Sequence, residues 1–447
     1  MENMECPSTS ASTPQTSGAS AGRSGGLEMS PEVSLRLFKE GATFVLLDVP
    51  IGTEVGIDME SWNTGERFRG IKMIPPGLHF VYFSAVSKDH QNTAPRTGFF
   101  HFFEKKEFLA KQYDQRAEDI SPDKVADEDC IRMQNGLEEM DRYLGAYPYN
   151  LWRTWVSLTN RITVDSLKRL SPPSGRILSA PELTLDADQT KPSTSRRKMT
   201  KLEEAENALP RMTENIESKI KYTSIPSQTF PDGSSPQQIS KFQLDHSWKL
   251  QQVIETIGTP SDYLAELQFA FVTFLVGQHY DSFEHWKCLT QLLCHSDDAI
   301  LKYPSLYYDF VSDLYFQIRE IPEDFFVDIV ASNNFLFSCM QRLVNNIKEH
   351  EKVDSKLKNK VERFSAFLTS KFDWDFEEEF DDAPTFVAEE DAVLSTERPN
   401  LKRKISLDDS DTLIQSNNED VDDNQQNDSL LEEEHELMDV VGDLPVF

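Results

Sequence analysis

The sequence predicts an α+β multidomain protein: a β-rich N-terminal domain, sheet or barrel-like and ending in helices, is followed by an α-helical domain. A disordered leader, a flexible linker and an acidic C-terminal tail frame the two. Three observations carry this. Short β-branched and aromatic runs, broken by Pro and Gly, crowd 43–103. Apolar residues recur every three or four positions through 262–372. Acidity is concentrated at one end: 375–447 holds 24 Asp/Glu against 4 Lys/Arg, which is −20 of the chain's formal −31. The expected organisation is a leader over 1–27, the β-rich domain over 28–170, a linker over 171–240, the helical domain over 241–374 and the tail over 375–447.

The leader is rich in Ser, Thr, Gly, Ala and Pro with no apolar core, so it reads as disordered and not as a secretory signal. At 31 a helix is expected to begin, with Ser30 as N-cap, Pro31 in the first turn and Gly41 as a left-handed cap. Runs at 43–49, 68–74, 79–86 and 97–103 read as strands. Pro75-Pro76-Gly77 supplies a turn, because Pro presets φ and Gly accepts positive φ. In the 79–86 run both alternating faces are apolar, the mark of a sheet covered on both sides or closed on itself. From 135 to 163 the text becomes helical and aromatic, with Leu137, Met140, Tyr143, Trp152 and Trp155.

The linker is marked by Ser171-Pro172-Pro173-Ser174-Gly175 and Arg196-Arg197-Lys198. In the helical domain, Leu264, Leu267, Phe271, Phe274 and Leu275 form one stripe. Phe283, Trp286, Leu289, Leu292 and Leu293 form a second, and Leu306, Phe310, Leu314 and Ile318 a third. Pro322 restarts a short helix, and helices over 334–347 and 354–372 complete the set, the last with Leu357, Val361, Phe364 and Leu368 in register.

Several function classes are excluded or disfavoured. No run of about 18 apolar residues exists, which rules out an ordinary membrane-spanning helix. The five cysteines lack CxxC spacing, so neither a disulfide framework nor a Cys-rich zinc site is expected; Cys288, Cys294 and Cys339 read as core thiols. An acidic chain is poorly suited to a phosphate backbone, where affinity comes from Lys and Arg displacing counterions. No nucleophile elbow, phosphate loop, dinucleotide fingerprint or HExxH pair occurs. His279 and His285, six apart, do not share a helix face. His79 and His101 lie in different strands and can meet across a sheet as half-buried histidines. Asp58 and Glu60 read as loop acids, and Asp324 and Asp328 as helix-start acids. No catalytic residue, cofactor or metal is therefore assigned. Arg196-Arg197-Lys198 and Lys402-Arg403-Lys404 are candidate nuclear-import signals. Ser406, between that second basic run and Asp408-Asp409, is a possible phosphosite whose modification would cancel local positive charge. Leu444-Pro445-Val446-Phe447 sets an apolar end on the acidic tail that could fill a partner's groove.

The stretch Leu37-Phe38-Lys39-Glu40-Gly41-Ala42-Thr43-Phe44-Val45-Leu46, continuing to Asp58, resembles the opening of the Aar-two splicing-factor family. Phe68-Arg69-Gly70-Ile71-Lys72-Met73-Ile74-Pro75-Pro76-Gly77-Leu78-His79-Phe80 is similar to its most recognisable signature. Phe283-Glu284-His285-Trp286-Lys287 and Ile321-Pro322-Glu323-Asp324-Phe325-Phe326 continue the order, over roughly 30–170 and 222–375. The resemblance implies a VHS-like fold for the helical domain. It also implies a non-enzymatic assembly chaperone of the spliceosomal U5 snRNP, in cytoplasm and nucleus. The implied partners are the large U5 splicing scaffold protein, through its RNase H-like and Jab/MPN-like domains, and U5 snRNP core proteins. Neither nucleic acid nor membrane is bound directly, and premature RNA and helicase engagement is blocked. Within the matching motifs, Gly70, Pro75, Pro76 and Gly77 read as turn residues and Phe283 and Trp286 as core. Arg69 and Lys72 flank the turn, and His285 and Lys287 fall between core positions, so these four are the partner-binding candidates. A competing reading from the helical domain alone is a VHS-like trafficking or ubiquitin-binding adaptor.

Overall fold

The computed structural model describes residues 31–86, 93–185, 212–321 and 335–372, with Trp374 and Phe376. The described residues form two compact units. The first takes in those up to Ser157, Ser171–Ile220 and Val276–His279; the second takes in Leu158–Leu170, Lys221–Leu275 and those from Tyr280 onward. The Pro322 helix, Asp324 and Asp328, both basic runs, Ser406 and the apolar C-terminal end all lie outside the described residues.

The first unit opens with α1 (Pro31–Glu40), which leads directly into β1 (Ala42–Leu47). Gly41 joins them, but not as the expected left-handed cap. Its amide donates to Leu37 O at 2.8 Å, and a Cβ there would lie 2.6 Å from that same oxygen, so close approach and not φ selects glycine. Two five-stranded sheets follow. One has the order β8 (Asp119–Ile120), β7 (Phe108–Asp114), β1, β4 (Gly70–Ile74), β9 (Leu144–Ala146). The other runs β10 (Ile177–Leu178), β6 (Thr97–Phe103), β5 (Gly77–Ser84), β2 (Glu54–Ile57), β3 (Glu60–Asn63). β1 pairs parallel with β7, and β4 pairs parallel with β9, whereas the second sheet is antiparallel throughout. Phe44, Leu46, Val55, Ile57, Ile71, Val81, Phe83 and Tyr147 share one core cluster. β5 is buried along nearly its whole length, as its two apolar faces require.

The β4–β5 turn depends on unusual backbone. Gly70 (φ +150°) pairs with Val45, and a Cβ there would lie 2.0 Å from Phe44 O, so any side chain would push β1 and β4 apart. Gly77 (φ +136°) begins β5, and Met73 holds φ +62° although it is not glycine. After β8 come α2 (Asp127–Asn135), α3 (Leu137–Met140), β9 and α4 (Tyr149–Thr159). Within 171–240, read as linker, the described residues hold β10, the antiparallel pair β11 (Leu183–Leu185) and β12 (Met212–Glu214), and the first part of α6 (Pro236–Leu244). Ser235 and Gln238 form a complete capping box on α6.

The second unit contains α5 (Val164–Leu170), α6, α7 (Ser247–Ile257), α8 (Pro260–Leu275), α9 (Tyr280–Cys294), α10 (Asp297–Lys302), α11 (Pro304–Glu320), α12 (Phe335–Glu349) and α13 (Ser355–Phe372). α8 is its axis. Every residue from Tyr263 to Thr273 is buried, because α5, α7, α9 and α11 all pack on it. The single stripe read from its sequence is therefore a correction: a helix surrounded on all sides has no solvent face. Cys294 and Cys339 are buried as expected, but Cys288 is exposed, since its position on α9 falls on the outer side. No helix among the described residues is long and apolar enough to cross a membrane.

Candidate functional site

Three acids, Asp58 read as a loop acid and Glu266 and Asp313 given no role by the sequence, are buried polar hubs. In the first unit the hub is Asp58, in the β2–β3 turn at φ +55° and 1% exposed. Its position is a turn, as read; its burial was not foreseen. One carboxylate oxygen accepts the Phe80 amide at 2.9 Å. The other accepts the Tyr147 hydroxyl at 2.6 Å and lies 2.7 Å from His79 Nδ1. His79 Nε2 reaches Pro75 O at 2.8 Å, so the ring bridges the acid to the Pro-Pro-Gly turn. Burial, then the charge of Asp58, pushes the Tyr147 hydroxyl well up, so it stays a donor. Tyr149 donates to Met73 O at 2.8 Å, and the Trp155 indole donates to Leu78 O at 2.6 Å. The turn is thus held from several sides by side-chain donors. His79 and His101 are directly paired across β5 and β6, but their polar contacts diverge: His101 Nε2 faces Glu107 at 2.7 Å.

The helical unit has two hubs. Glu266 on α8 is fully buried. One oxygen accepts the Thr223 amide at 2.7 Å and faces His285 Nε2 at 2.8 Å; the other accepts Arg169 Nη1 at 2.6 Å and Thr223 Oγ1 at 2.8 Å. Burial pushes this carboxyl up, but His285, Arg169 and the Thr223 amide outweigh it and hold it below its ordinary value. Tyr222 stacks on the His285 ring at 4.2 Å and donates to Ser282 Oγ at 2.6 Å.

Asp313 on α11 is the second. Arg161 Nε sits 2.9 and 2.7 Å from its two oxygens, and Gln268 Nε2 donates to it at 3.2 Å. Arg161 also reaches Asp309 at 3.2 Å. Burial pushes Asp313 up to about 7 despite Arg161, and the neighbouring Asp309 charge adds to the rise. Burial lowers Arg161 in turn, but the two carboxylates outweigh it and keep the guanidinium charged.

The structure separates the four partner-binding candidates. Arg69, immediately before β4, is exposed; its guanidinium donates to Phe68 O at 3.1 Å, while its amide donates to Tyr143 O at 2.9 Å. Lys72 is engaged: its ammonium bonds the Asp141 carboxylate and the Asp141 carbonyl, and lies 5.6 Å over the Phe38 ring. His285, read as a surface residue, is instead 12% exposed in its side chain and committed to Glu266, because its turn of α9 faces α8. Lys287 pairs with Glu284 at 2.6 Å and lies 5.0 Å over the Phe283 ring. Lys72 lies in β4 of the first unit and Arg69 just before it; His285 and Lys287 share a helix of the second.

A β-rich unit and a helical unit, each stapled by buried acid hubs, define an α+β protein whose polar side chains serve its own architecture. Family models match both parts: an AAR2 N-terminal domain over 40–172 and an AAR2 C-terminal repeat region over 222–377. The chain is 40% identical to "Protein AAR2 homolog" of Macaca fascicularis and 39% identical to that of Homo sapiens, each over 81% of this chain and 97% of the relative. It is 25% identical to the "A1 cistron-splicing factor AAR2" of Saccharomyces cerevisiae, over 70% of this chain and 86% of the relative. The chain belongs to the AAR2 family.

Proposed function

We propose that this chain is a splicing factor that works by binding and not by catalysis: an assembly chaperone of the U5 snRNP. The observation that carries the reading is that both parts of the chain match the family that includes the yeast splicing factor, in the same order. Its partners are the large U5 scaffold protein, through RNase H-like and Jab/MPN-like domains, and U5 core proteins. Held there, it keeps RNA and the snRNP helicase from engaging early, and it works in cytoplasm and nucleus. The physical support is the use of the buried polar groups. The acids most perturbed or most enclosed are satisfied by internal donors, which fits scaffolding better than chemistry. Exposed Arg69, which precedes β4 at the end of that strand away from the β4–β5 turn, marks the contact surface in the first unit. Phosphorylation of Ser406 adds to the acidity of the tail and favours release.

Affinity capture of the tagged full chain from cytoplasmic extract, with mass spectrometry, tests this. Recovery of the U5 scaffold and core proteins without the helicase is expected. Recovery of membrane-trafficking components with no splicing protein would overturn the reading. Arg69→Glu is expected to cut scaffold recovery severalfold, and Ser406→Glu to lower it relative to Ser406→Ala; unchanged recovery removes each residue from the interface.

A further inference from the structure

One lysine of the first unit stands where a strand ordinarily puts an apolar residue. Along β7 the side chains of Leu109, Lys111 and Tyr113 fall on one face, because successive strand residues point to opposite sides. Tyr113 belongs to the core cluster and Leu109 packs against it, so Lys111 lies on the inward side between them. It is half-buried. Its ammonium sits 4.9 Å over the ring of Phe99 from the other sheet, and Phe99 in turn meets Phe44 edge-on at 6.0 Å. A charge in such a place is ordinarily answered by a carboxylate. Here the charge that acts on it is another lysine's. Antiparallel pairing of Tyr113 with Ile120 turns the chain back along β7, and the Ser121 amide donates to Gln112 O at 2.8 Å. Lys124 follows, exposed, just ahead of α2. Burial lowers the basicity of Lys111, and the charge of Lys124 lowers it further. Among the described residues no carboxylate pairs with either lysine. The acids of this edge are engaged elsewhere: Asp114 accepts the Arg116 amide at 2.8 Å, Asp119 pairs with Arg176, and the charge of Glu118 is felt at the Tyr113 hydroxyl.

We propose that Lys111 and Lys124 form an oxyanion site whose ligand is a phosphoryl group. Two ammoniums brought together beside an aromatic ring, with no opposite charge between them, repel one another in the free chain, and an anion placed between them reverses the sign of that interaction. Charge selects phosphoryl over carboxylate. At neutral pH a phosphate monoester carries about −1.5 to −2, which answers two ammoniums, whereas a carboxylate answers one. The Phe99 ring keeps water from one side of Lys111 and so strengthens the attraction. Because Lys111 is only half-buried, the ligand reaches its ammonium without a change in the strands.

The test is calorimetric melting of the full chain at constant ionic strength, with chloride exchanged for inorganic phosphate, O-phosphoserine or acetate. With phosphate at about tenfold its Kd, the Tm is expected to rise by about 3–5 °C. Lys111→Met is expected to abolish this gain, Lys124→Met to halve it, and Lys111→Arg to keep it. In chloride, Lys111→Met is expected to melt no lower than the unchanged chain, because it removes an unanswered charge. A lysine that serves only the packing would give the opposite, and clearly lower melting of this variant overturns the proposal. So does the same phosphate gain in every chain, or a gain from acetate equal to that from phosphate. If Lys111→Met does not fold, Lys124→Met, altered on the surface, decides alone: an undiminished phosphate gain overturns the proposal. A larger gain from O-phosphoserine than from phosphate assigns the site to a phosphorylated side chain, and the reverse order to the free ion; both support the site.

Discussion

Glu266 and Asp313 are two buried acids in one helical unit, and each is paired with an arginine from the same short stretch, Arg169 and Arg161. Their protonation moves in opposite directions: Glu266 is held down, Asp313 is driven up to about 7. The difference lies in what surrounds the charge. Glu266 is met by four donors from three residues besides any carboxylate neighbour, two of them from Thr223. Asp313 has Arg161 and Gln268, but Asp309 stands beside the same guanidinium and competes for it. An arginine partner alone does not settle a buried carboxylate; the donors around it and the nearest like charge do.

The largest effect that can break this comparison comes from removing both arginines together. The Arg161→Met/Arg169→Met double variant of the full chain leaves both acids without them. It is expected to melt about 10 °C below the unchanged chain, read by calorimetry. Equal melting would mean that the two pairs contribute nothing net. Next come the single substitutions. Arg169→Met strands an ionised Glu266 and is expected to cost about 2–3 kcal/mol, whereas Arg161→Met leaves an acid that can take up a proton and costs about 1–2 kcal/mol. Urea unfolding of the full chain checks the order, and its reversal would sink the explanation.

Smaller still is a pH effect. The folded state holds the Asp313 proton more tightly than the unfolded chain, with about 7 against 3.8. Its contribution to stability is therefore complete below about 3.8 and declines as pH rises towards 7. Glu266, lowered from 4.5, does the reverse: its contribution is full above that value and fades only in more acid solution. Asp313→Asn is thus expected to flatten the stability profile between pH 4 and 7, and a slope unchanged by the substitution would show that another group sets it. The β-rich unit gives a change of the same order as either arginine substitution. His79→Phe removes the bridge between Asp58 and Pro75 and is expected to cost about 1–3 kcal/mol. Faster hydrogen exchange in the 74–80 region alone would place the loss at the turn.

The architecture was legible where periodicity and punctuation agree. β6 (Thr97–Phe103) falls on the predicted run, and α13 buries Leu357, Val361, Phe364 and Leu368 as its spacing requires. Short strands were harder: β2 and β3 are four residues each, too brief for alternation to register, and the parallel pairing of β1 with β7 depends on residues 65 positions apart. The hubs were invisible for a related reason. Asp58, Glu266 and Asp313 look like ordinary acids until partners from 19 to 152 residues away converge on them. One signal was available. Glu266 and Gln268 interrupt an apolar run from Tyr263 to Phe274, and a charge inside a helix that is apolar on every other face has to be answered by something. His285 was misplaced because its neighbours Phe283 and Trp286 point inward; an intermediate helical position can face a second helix as well as water.

The pairing of Arg161 with Asp313 also sets a schedule for synthesis. The two residues are 152 positions apart, so at roughly 5–20 residues per second the arginine leaves the ribosome about 8–30 s before its carboxylate is made. Throughout that interval the helical unit has its first polar staple and none of the helix that receives it. Completion of this unit therefore waits on its later helices, and a nascent chain stalled before 313 would carry a half-built bundle as a natural target for chaperones.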